Sequence, residues 1–463
     1  MRFGRVRWIH FVGIGGIGMS GIAEVLLQLG YRVSGSDLRS SPVTQRLASL
    51  GARVHEGHDA AHVGDADVVV VSSAVPADNP EVAEARRRRI PVIPRAEMLA
   101  ELMRVKAGIA VAGSHGKTST TSMLATVLAR CGLDPTVIVG GRLETIGSNA
   151  RLGQGDLLLA EADESDGSFL RLIPTIAVVT GIDREHIDHY GSEEALRDAF
   201  AAFCGRVPFH GAVVACVDDP GVRAILPRVD RRVLTCAVRS RADYEARDVE
   251  PAGFGIRFTL HRHGEAVGPV RLRIPGRHQV QNALLVLAVA DELGLSLRVA
   301  AAALEEHPGV DRRLQRLGEA RGILVLDDYG HHPREIELTL AALREAIGRR
   351  RLVVLFQPHR YTRLADLMER FSAAFDRADV VVLADVYPAG EEPIPGATAE
   401  RLAEEIAARG HPDVTWAGDL DAAESRVLER LREGDVVLTL GAGSVGRSGR
   451  RILAALGGGE GPR

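Results

Sequence analysis

The sequence predicts an α/β protein built from three consecutive domains, each a largely parallel sheet wrapped by helices. Three observations lead there. The chain has 463 residues, more than one hydrophobic core of ordinary size supports, and that length favours about three domains. Short β-branched runs alternate with amphipathic stretches, the sequence form of strands joined by crossover helices. Glycine-rich turns follow candidate strands at 13–18, 113–118 and 441–446, once in each expected domain. Apolar residues at 46% and charged residues at 25% are ordinary for globular chains. A net charge of -4 supplies no field that would gather nucleic acid or an anionic membrane, so neither is an expected partner. Any bound anion needs a local site.

The first domain is expected over 1–104. Arg2, Arg5 and Arg7 precede an apolar stretch at 8–12, but that stretch is too short for a secretory leader and no small-residue cleavage site follows. It reads instead as the first strand. A helical pattern at 22–29 comes next, with further strands at 32–34 and 68–71. The second domain is expected over 105–309. A strand at 109–112 feeds a helix at 118–131, which Gly132 ends in the left-handed cap conformation. Strands follow at 157–160, 177–180 and 212–216. Residues 244–274 alternate as antiparallel strands do, and a helix at 282–293 stops at Gly294. The third domain, 310–463, returns to the βα pattern, with strands at 323–326, 352–356, 380–383 and 436–440 and helices starting near Pro333, Leu364 and Ala399. No run of 18 apolar residues is available for a membrane span. Cys131, Cys204, Cys216 and Cys236 lack metal or disulfide spacing and read as reduced, buried thiols.

Only two of the 57 basic residues are lysines, Lys106 and Lys117. A chain so biased to arginine keeps lysine where a compact point charge is needed, because a planar guanidinium does not replace an ammonium at a crowded phosphate site. Lys117 stands in Gly113-Ser114-His115-Gly116-Lys117-Thr118, between a strand and a helix. That is the setting of a phosphate loop, and it makes the second domain P-loop ATPase-like. Backbone N–H groups at the helix N-terminus face anionic oxygens. Lys117 then neutralises the β- and γ-phosphates, and the Thr118 hydroxyl holds Mg²⁺. The strict pattern has glycine at 111, where this chain has Val111.

The strand at 157–160 runs into Glu161-Ala162-Asp163-Glu164-Ser165-Asp166. Ligands of open α/β sheets sit at the carboxyl ends of strands, which makes Glu161 a candidate metal ligand. The strand at 177–180 delivers His186 to a similar edge. The first and third domains read as Rossmann-like. Gly13-Ile14-Gly15-Gly16-Ile17-Gly18 follows a strand, and Asp37 lies about twenty residues on, as in dinucleotide fingerprints. Gly441-Ala442-Gly443-Ser444-Val445-Gly446 repeats the pattern but leaves no chain for an acidic partner. The pattern alone establishes a tight, anion-accommodating turn.

Five blocks, in order over nearly the whole chain, resemble the Mur ligases, ATP-dependent amide-bond-forming enzymes of peptidoglycan precursor synthesis, and more narrowly their alanine-adding branch. They are IHFVGIGGIGMSGIAE at 9–24, GSHGKTS at 113–119, EADESDGSF at 161–169, DDYGHHP at 327–333 and FQPHRYTR at 356–363. The resemblance implies that the first domain binds UDP-N-acetylmuramate. Gly13, Gly15, Gly16 and Gly18 would approach its diphosphate, with Asp37, Ser72 and Ser73 nearby. It implies that the central domain binds MgATP through Gly113, Ser114, His115, Gly116, Lys117, Thr118 and Ser119. Thr118 and Glu161 would hold one Mg²⁺, and His186 would join Glu161 on a second. Asn282 would read adenine, Asp328 the ribose, and Arg312 or Arg313 the phosphate that moves. The third domain would close over the nucleotide.

Arg360 and Arg363 are where the resemblance places the alanine carboxylate, which a guanidinium meets through paired hydrogen bonds. His331 would position nucleotide or amine. The implied catalytic residues are thus Lys117, His186, Arg312 and His331, in a cytoplasmic protein that is a monomer or weak homodimer. Two departures stand out. Gly181, Asp183 and Glu185 replace the Asn, Glu and Asp of the family's Asn-Ile-Glu-x-Asp-His block, while His186 is kept, and Gln279 stands where an Asn usually precedes Asn282.

The nearest rival is the recycling ligase that adds a whole tripeptide to the same UDP-sugar, to which PHRYTR fits less well. A folylpolyglutamate-type ligase would not need the N-terminal glycine-rich domain. A nicotinamide-dependent oxidoreductase leaves Lys117, Glu161 and DDYGHHP unexplained, and a non-catalytic P-loop regulator would not need a second nucleotide fold.

Overall fold

The computed structural model describes residues 3–72, 74–143 and 148–457, without the side chains of 17, 140–149 and 188. Ser73, one of the expected sugar-site residues, lies outside the described residues. The architecture is three α/β domains, the class the sequence predicts. By internal packing the chain divides into two compact units. One takes the chain up to Asp248 with Phe258–Val270 and Val280–Pro308; the other takes Val249–Arg257, Arg271–Gln279 and the chain from Gly309 onward.

The first domain has strands β1 (Trp8–Val12), β2 (Arg32–Asp37), β3 (Arg53–Glu56), β4 (Val68–Val71) and β5 (Val92–Pro94), and helices α1 (Ile17–Gln28), α2 (Pro42–Ser49), α3 (Pro80–Arg87) and α4 (Arg95–Val105). All pairings in the order β3-β2-β1-β4-β5 are parallel, so the order reverses between β1 and β4. Such a switch point opens a crevice at the carboxyl ends of the strands. The start of α2 is set by Ser41, which accepts from Thr44 N, with Pro42 at the first helical position. Asn79 caps α3 in the same way. Beneath the sheet edge, fully buried Glu81 accepts hydrogen bonds from His10 Nε2 (3.1 Å), Ser36 Oγ (2.6 Å) and His62 Nδ1 (3.2 Å). Burial pushes its carboxyl upward, but these donors outweigh burial and hold it down to about 2.

The central domain contributes β6 (Ala107–Ala112), α5 (Lys117–Arg130), β7 (Thr136–Leu143), β8 (Ser148–Arg151), β9 (Leu157–Glu161), β10 (Ile176–Val179), α6 (Ile187–Tyr190), α7 (Glu193–Gly205), β11 (Ala212–Cys216), α8 (Pro220–Ile225), β12 (Val233–Ala237), β13 (Tyr244–Ala252), β14 (Gly255–Arg262), β15 (Glu265–Leu272), α9 (Arg277–Glu292) and α10 (Leu297–Glu305). Its sheet runs β15-β14-β13-β12-β11-β10-β6-β9-β7-β8. The middle strands pair in parallel and are buried on both faces, which is why they read as unbroken apolar runs. Helix α1 of the first domain packs on β7 and β8, and Leu152 N donates to Gln28 Oε1 at 3.1 Å. The first two domains thereby form one unit. Lys106, at the end of α4, donates to the carbonyls of Gly153 (2.8 Å) and Gly155 (2.6 Å), so one of the two retained lysines serves a loop.

The third domain contains β16 (Gln315–Ala320), β17 (Ile323–Asp328), α11 (Pro333–Ile347), β18 (Leu352–Phe356), α12 (Tyr361–Ala373), β19 (Val380–Leu383), α13 (Ala399–Ala408), β20 (Val414–Trp416), α14 (Leu420–Arg430), β21 (Val436–Leu440) and α15 (Ser448–Ala455). Its order is β16-β17-β21-β18-β19-β20, with only β16 antiparallel. Separate apolar clusters cover the two sheet faces, one under α11 to α13 and one under α14 and α15. Among the described residues no helix is long and apolar enough to cross a membrane.

Candidate active site

The glycine turn after β6 is shaped by its neighbour β10. Gly113 has φ +138°, and a Cβ there would lie 2.1 Å from Thr180 Oγ1 and 2.9 Å from the Gly181 carbonyl, so only glycine fits. At Gly181, a departure from the family block, a Cβ would instead meet Asp219, 3.3 Å from its Oδ2. Ser114 N donates to Gly181 O (2.9 Å), and Asp183 N donates to Ser114 Oγ (2.9 Å). Thr180 Oγ1 donates to the His115 carbonyl, and His115 Nε2 is 3.4 Å from Asp183 Oδ2. Gly116 caps α5 with φ +82°, its missing Cβ leaving space for Asn282 Oδ1 at 2.8 Å. The adenine candidate Asn282 thus lies against the phosphate-loop candidate. Val111 is fully buried inside β6, so the loop begins at Gly113 and glycine at 111 has no part in it.

Lys117 opens α5. Its Nζ donates to the Gly113 carbonyl (2.6 Å) and to both oxygens of Glu164 (2.8 Å each). Burial disfavours its ammonium, but the Glu164 carboxylate more than compensates and holds the Lys117 pKa above the usual lysine value. Glu161 ends β9, paired beside Val111 of β6, and Thr118 and Ser119 follow Lys117 in the first turn of α5. His186 has φ +56° and its Nε2 is 3.8 Å from Glu164 Oε1. Ligand atoms of Glu164, Glu185 and His186 all lie within 4.8 Å of one another. Carboxylate oxygens are donors Mg²⁺ takes, so Glu164 and Glu185, with the His186 imidazole, form a donor set of a kind that suits that ion.

Glu164 has no role assigned from sequence, and Glu185 enters there only as a departure from the family block. The run of acidic residues at 161–166 was the available signal, but nothing in it marks which carboxylate folds back onto the lysine. Tyr190 completes the enclosure, its hydroxyl donating to the Glu164 carbonyl at 2.5 Å.

In the same unit, the N-terminal turn gathers its expected residues. Gly13 and Ile14 N–H groups donate to the Ser36 carbonyl (2.9 and 3.0 Å). Gly15 N donates to Asp37 Oδ2 (2.8 Å), and a Cβ at Gly15 would lie 2.9 Å from that oxygen. Gly13 has φ +81° and faces the Ser72 Cβ, while Gly16 caps α1 with no side-chain cap. Asp37 therefore braces the turn, and Gly13, Gly15, Gly16, Gly18, Asp37 and Ser72 share one strand-end crevice.

In the other unit, Arg312 has φ +59° and its Nε donates to the buried Asp327 Oδ2 at 3.0 Å, with a second bond to the Gly441 carbonyl. The neighbouring Arg313 lies 3.7 Å from Glu335 and over the Tyr329 ring, 5.3 Å from its centroid. Asp328 accepts from Gly330 N (2.8 Å) and Leu314 N (2.7 Å), and burial pushes its carboxyl up to about 6. His331 lies 3.3 Å from Glu335, and burial pushes its pKa down to about 4, leaving a neutral imidazole at physiological pH. Arg360 (φ +71°) and Arg363 stand at the start of α12. Arg360 is 3.9 Å from Glu391, and Arg363 Nη1 lies 3.3 Å from His359 Nδ1. His359, which has no role assigned from sequence, bridges this pair to the rest of the edge: it stacks on Tyr387 (5.5 Å, 12°) and meets His331 edge-on at 5.9 Å.

Family models match three successive stretches: the Mur ligase family catalytic domain over 8–107, the Mur ligase middle domain over 111–290, and the Mur ligase glutamate ligase domain over 312–443. A protein of Anaeromyxobacter sp. named UDP-N-acetylmuramate–L-alanine ligase is 58% identical over 448 residues, 97% of each chain. The crystal structure of UDP-N-acetylmuramate-alanine ligase MurC from Thermotoga maritima matches with TM-score 0.82 and 31% identity, covering 97% of this chain and 99% of that one. A murein peptide ligase from Psychrobacter arcticus shares the fold, with TM-score 0.69 at 24% identity over 98% of this chain and 100% of that one. With matches spanning nearly its whole length, the chain belongs to the Mur ligase family and is an ATP-dependent ligase that forms C–N bonds.

Proposed function

We propose that this protein joins L-alanine to UDP-N-acetylmuramate at the expense of ATP, giving UDP-N-acetylmuramoyl-L-alanine, ADP and phosphate. The observation that carries the reading is Lys117: an ammonium retained in an arginine-rich chain, set at a helix N-terminus in a glycine turn that β10 braces. The full-length similarity to proteins named for this reaction supports the choice of substrates. The domain boundaries that go with it lie near 104 and 309. The enzyme works in the cytoplasm as a monomer or weak homodimer and has no nucleic-acid partner.

The chemistry needs little covalent help from the protein. A lactyl carboxylate oxygen attacks the γ-phosphorus of ATP, the bond to the β-phosphate oxygen breaks, and ADP leaves. The acyl phosphate has a far better leaving group than a carboxylate. Alanine's amine then attacks the carbonyl, loses a proton, and expels phosphate as the amide forms. Lys117 and the backbone N–H groups of His115 to Ser119 bind and orient the phosphates, with Ser114 fixing the turn through Gly181. Thr118 and Glu161 would hold one Mg²⁺, and His186 with the neighbouring carboxylates a second; bound there, such ions would supply positive charge to offset that of the transferring phosphoryl group.

Arg312 is tied to Asp327 and Gly441, so Arg313 is the arginine we place on the moving phosphate, with Arg312 fixing the backbone beside it. Asn282 lies by the adenine, and Asp328 orders the loop at the ribose. Arg360 and Arg363 take the alanine carboxylate through paired hydrogen bonds. Neutral His331 receives or positions the amine. The N-terminal turn takes the UDP-sugar diphosphate.

A phosphate-release panel tests the assignment. With Mg²⁺, ATP and UDP-N-acetylmuramate, release is expected on adding L-alanine and not when either acceptor is omitted. Faster turnover with the L-alanyl-D-glutamyl-diaminopimelate tripeptide would replace this reading by the recycling ligase.

A further inference from the structure

Helix α1 begins at the N-terminal glycine turn with no side-chain cap and no acidic residue in its first turn. Its N-terminal end therefore has no acceptor from the helix's own side chains, and the carboxylate of the turn, Asp37, is engaged by Gly15 N. Against that end lies a positive group. Arg95, the first residue of α4, lays its side chain on Gly18, so that a Cβ at Gly18 would be 3.0 Å from Arg95 Cδ, 3.2 Å from Nη1 and 3.3 Å from Nε. Gly18 is in ordinary helical conformation, without a positive φ. What it supplies is room for the guanidinium. Arg95 is half-buried, and among the described residues no hydrogen bond or ion pair holds its guanidinium. A cation beside the positive end of a helix is unfavourable on its own, and the arrangement makes sense when an anion lies between the two.

We propose that Arg95 is a substrate-binding residue that grips the diphosphate of the UDP-sugar together with the amides of the turn at 13–18. This rests on the reading of that turn as the UDP-sugar site. The helix that carries Arg95 runs directly into β6, the strand that ends in the phosphate loop. A guanidinium forms paired hydrogen bonds to phosphate oxygens that a lysine meets only as a point charge.

Calorimetric titration of UDP, UMP and uridine into the full-length protein and into Arg95→Ala and Arg95→Lys tests this, with thermal melting as the fold control. Expected is a tenfold or greater rise in the UDP Kd for Arg95→Ala, a smaller rise for Arg95→Lys, and no change for uridine. The KM for UDP-N-acetylmuramate should rise in parallel, with the KM values for ATP and alanine held. An unchanged UDP Kd in Arg95→Ala overturns the assignment, as does an equal loss with uridine. A fall in kcat with UDP binding intact would place Arg95 on the carboxylate and also overturns it. Wild-type protein that binds no UDP would instead refute the reading of the turn itself.

Discussion

The chain carries the same glycine pattern twice, at 13–18 and at 441–446, and the two turns are built for opposite purposes. The first rests on Ser36 and Asp37 from below and presents an uncapped helix end. The second is filled from within: Gly441's carbonyl and the space beside Gly446 are taken by Arg312, and Gln357 Oε1 accepts from Val445 N (3.1 Å) and Ser444 Oγ (3.3 Å). A Cβ at Gly446 would sit 2.4 Å from the Arg312 guanidinium carbon. A glycine motif thus specifies a backbone shape, and the residues packed into it decide whether it receives a ligand. We place the turn at 113–118 with the first kind, because α5 also begins without a side-chain cap.

If that division is right, substitutions at ligand-facing turns cost activity, whereas those at the self-filled turn cost stability. The largest effect is expected at Lys117: Lys117→Ala should lower phosphate release by about 10³-fold or more, the scale of preorganised charge stabilisation. Circular dichroism should keep its native form, although Glu164 loses its partner and stability falls too, so the activity loss is what separates the two turns; retained turnover would erase the distinction. Next is Arg312→Ala. It leaves the buried Asp327 without its guanidinium, and breaking such a pair costs about 3 kcal/mol or more. Urea denaturation should register that loss, and a melt equal to wild type would mean that Arg312 is not what fills the turn.

The support of the first turn can be tested by pH. Ser36, whose carbonyl holds Gly13 and Ile14, donates its hydroxyl to Glu81. Glu81 titrates near 2 in the folded protein against 4.5 for an unperturbed glutamate. Its contribution is therefore present above the unfolded value and is lost as pH falls from 4.5 toward 2. The full difference is on the order of 3 kcal/mol. Glu81→Gln should be less stable than wild type at neutral pH by up to that amount, with the gap closing in acid. A gap that is constant with pH would refute the ionised, hydrogen-bonded carboxylate. The smallest effect is expected for Gly446→Ala, about 1–2 kcal/mol, because Arg312 can yield part of the space.

Much of the fold was legible. Strands buried on both faces, such as β10, β18 and β21, are continuous apolar runs and were found within a residue or two. The strands missed include β7 and β12, which lie inside the central sheet, the edge strands β8 and β16, and three short ones. In β3 the sequence Arg-Val-His-Glu is half-exposed, and β5 and β20 have three residues each, so none has a pattern that separates it from a loop. Helix α9 starts at Arg277, earlier than the expected 282, because Gly276 (φ +113°) turns the chain right before it.

In the site, glycines and Lys117 were readable because their spacing is local to one turn. Glu164's grip on Lys117, across 47 residues, was not, and neither was the seating of Arg95 on Gly18 or of Arg312 on Asp327. These partners are chosen by strand order. The sequence offered Arg312 and Arg313 as equals; the fold separates them by giving one a buried carboxylate.

The most direct test of the central claim is calorimetric titration of MgATP into wild-type protein and Lys117→Ala. The account predicts saturable binding to the wild type, strongly weakened by the substitution. Equal affinity in the two proteins, or uptake of a nicotinamide dinucleotide in place of MgATP, would contradict it.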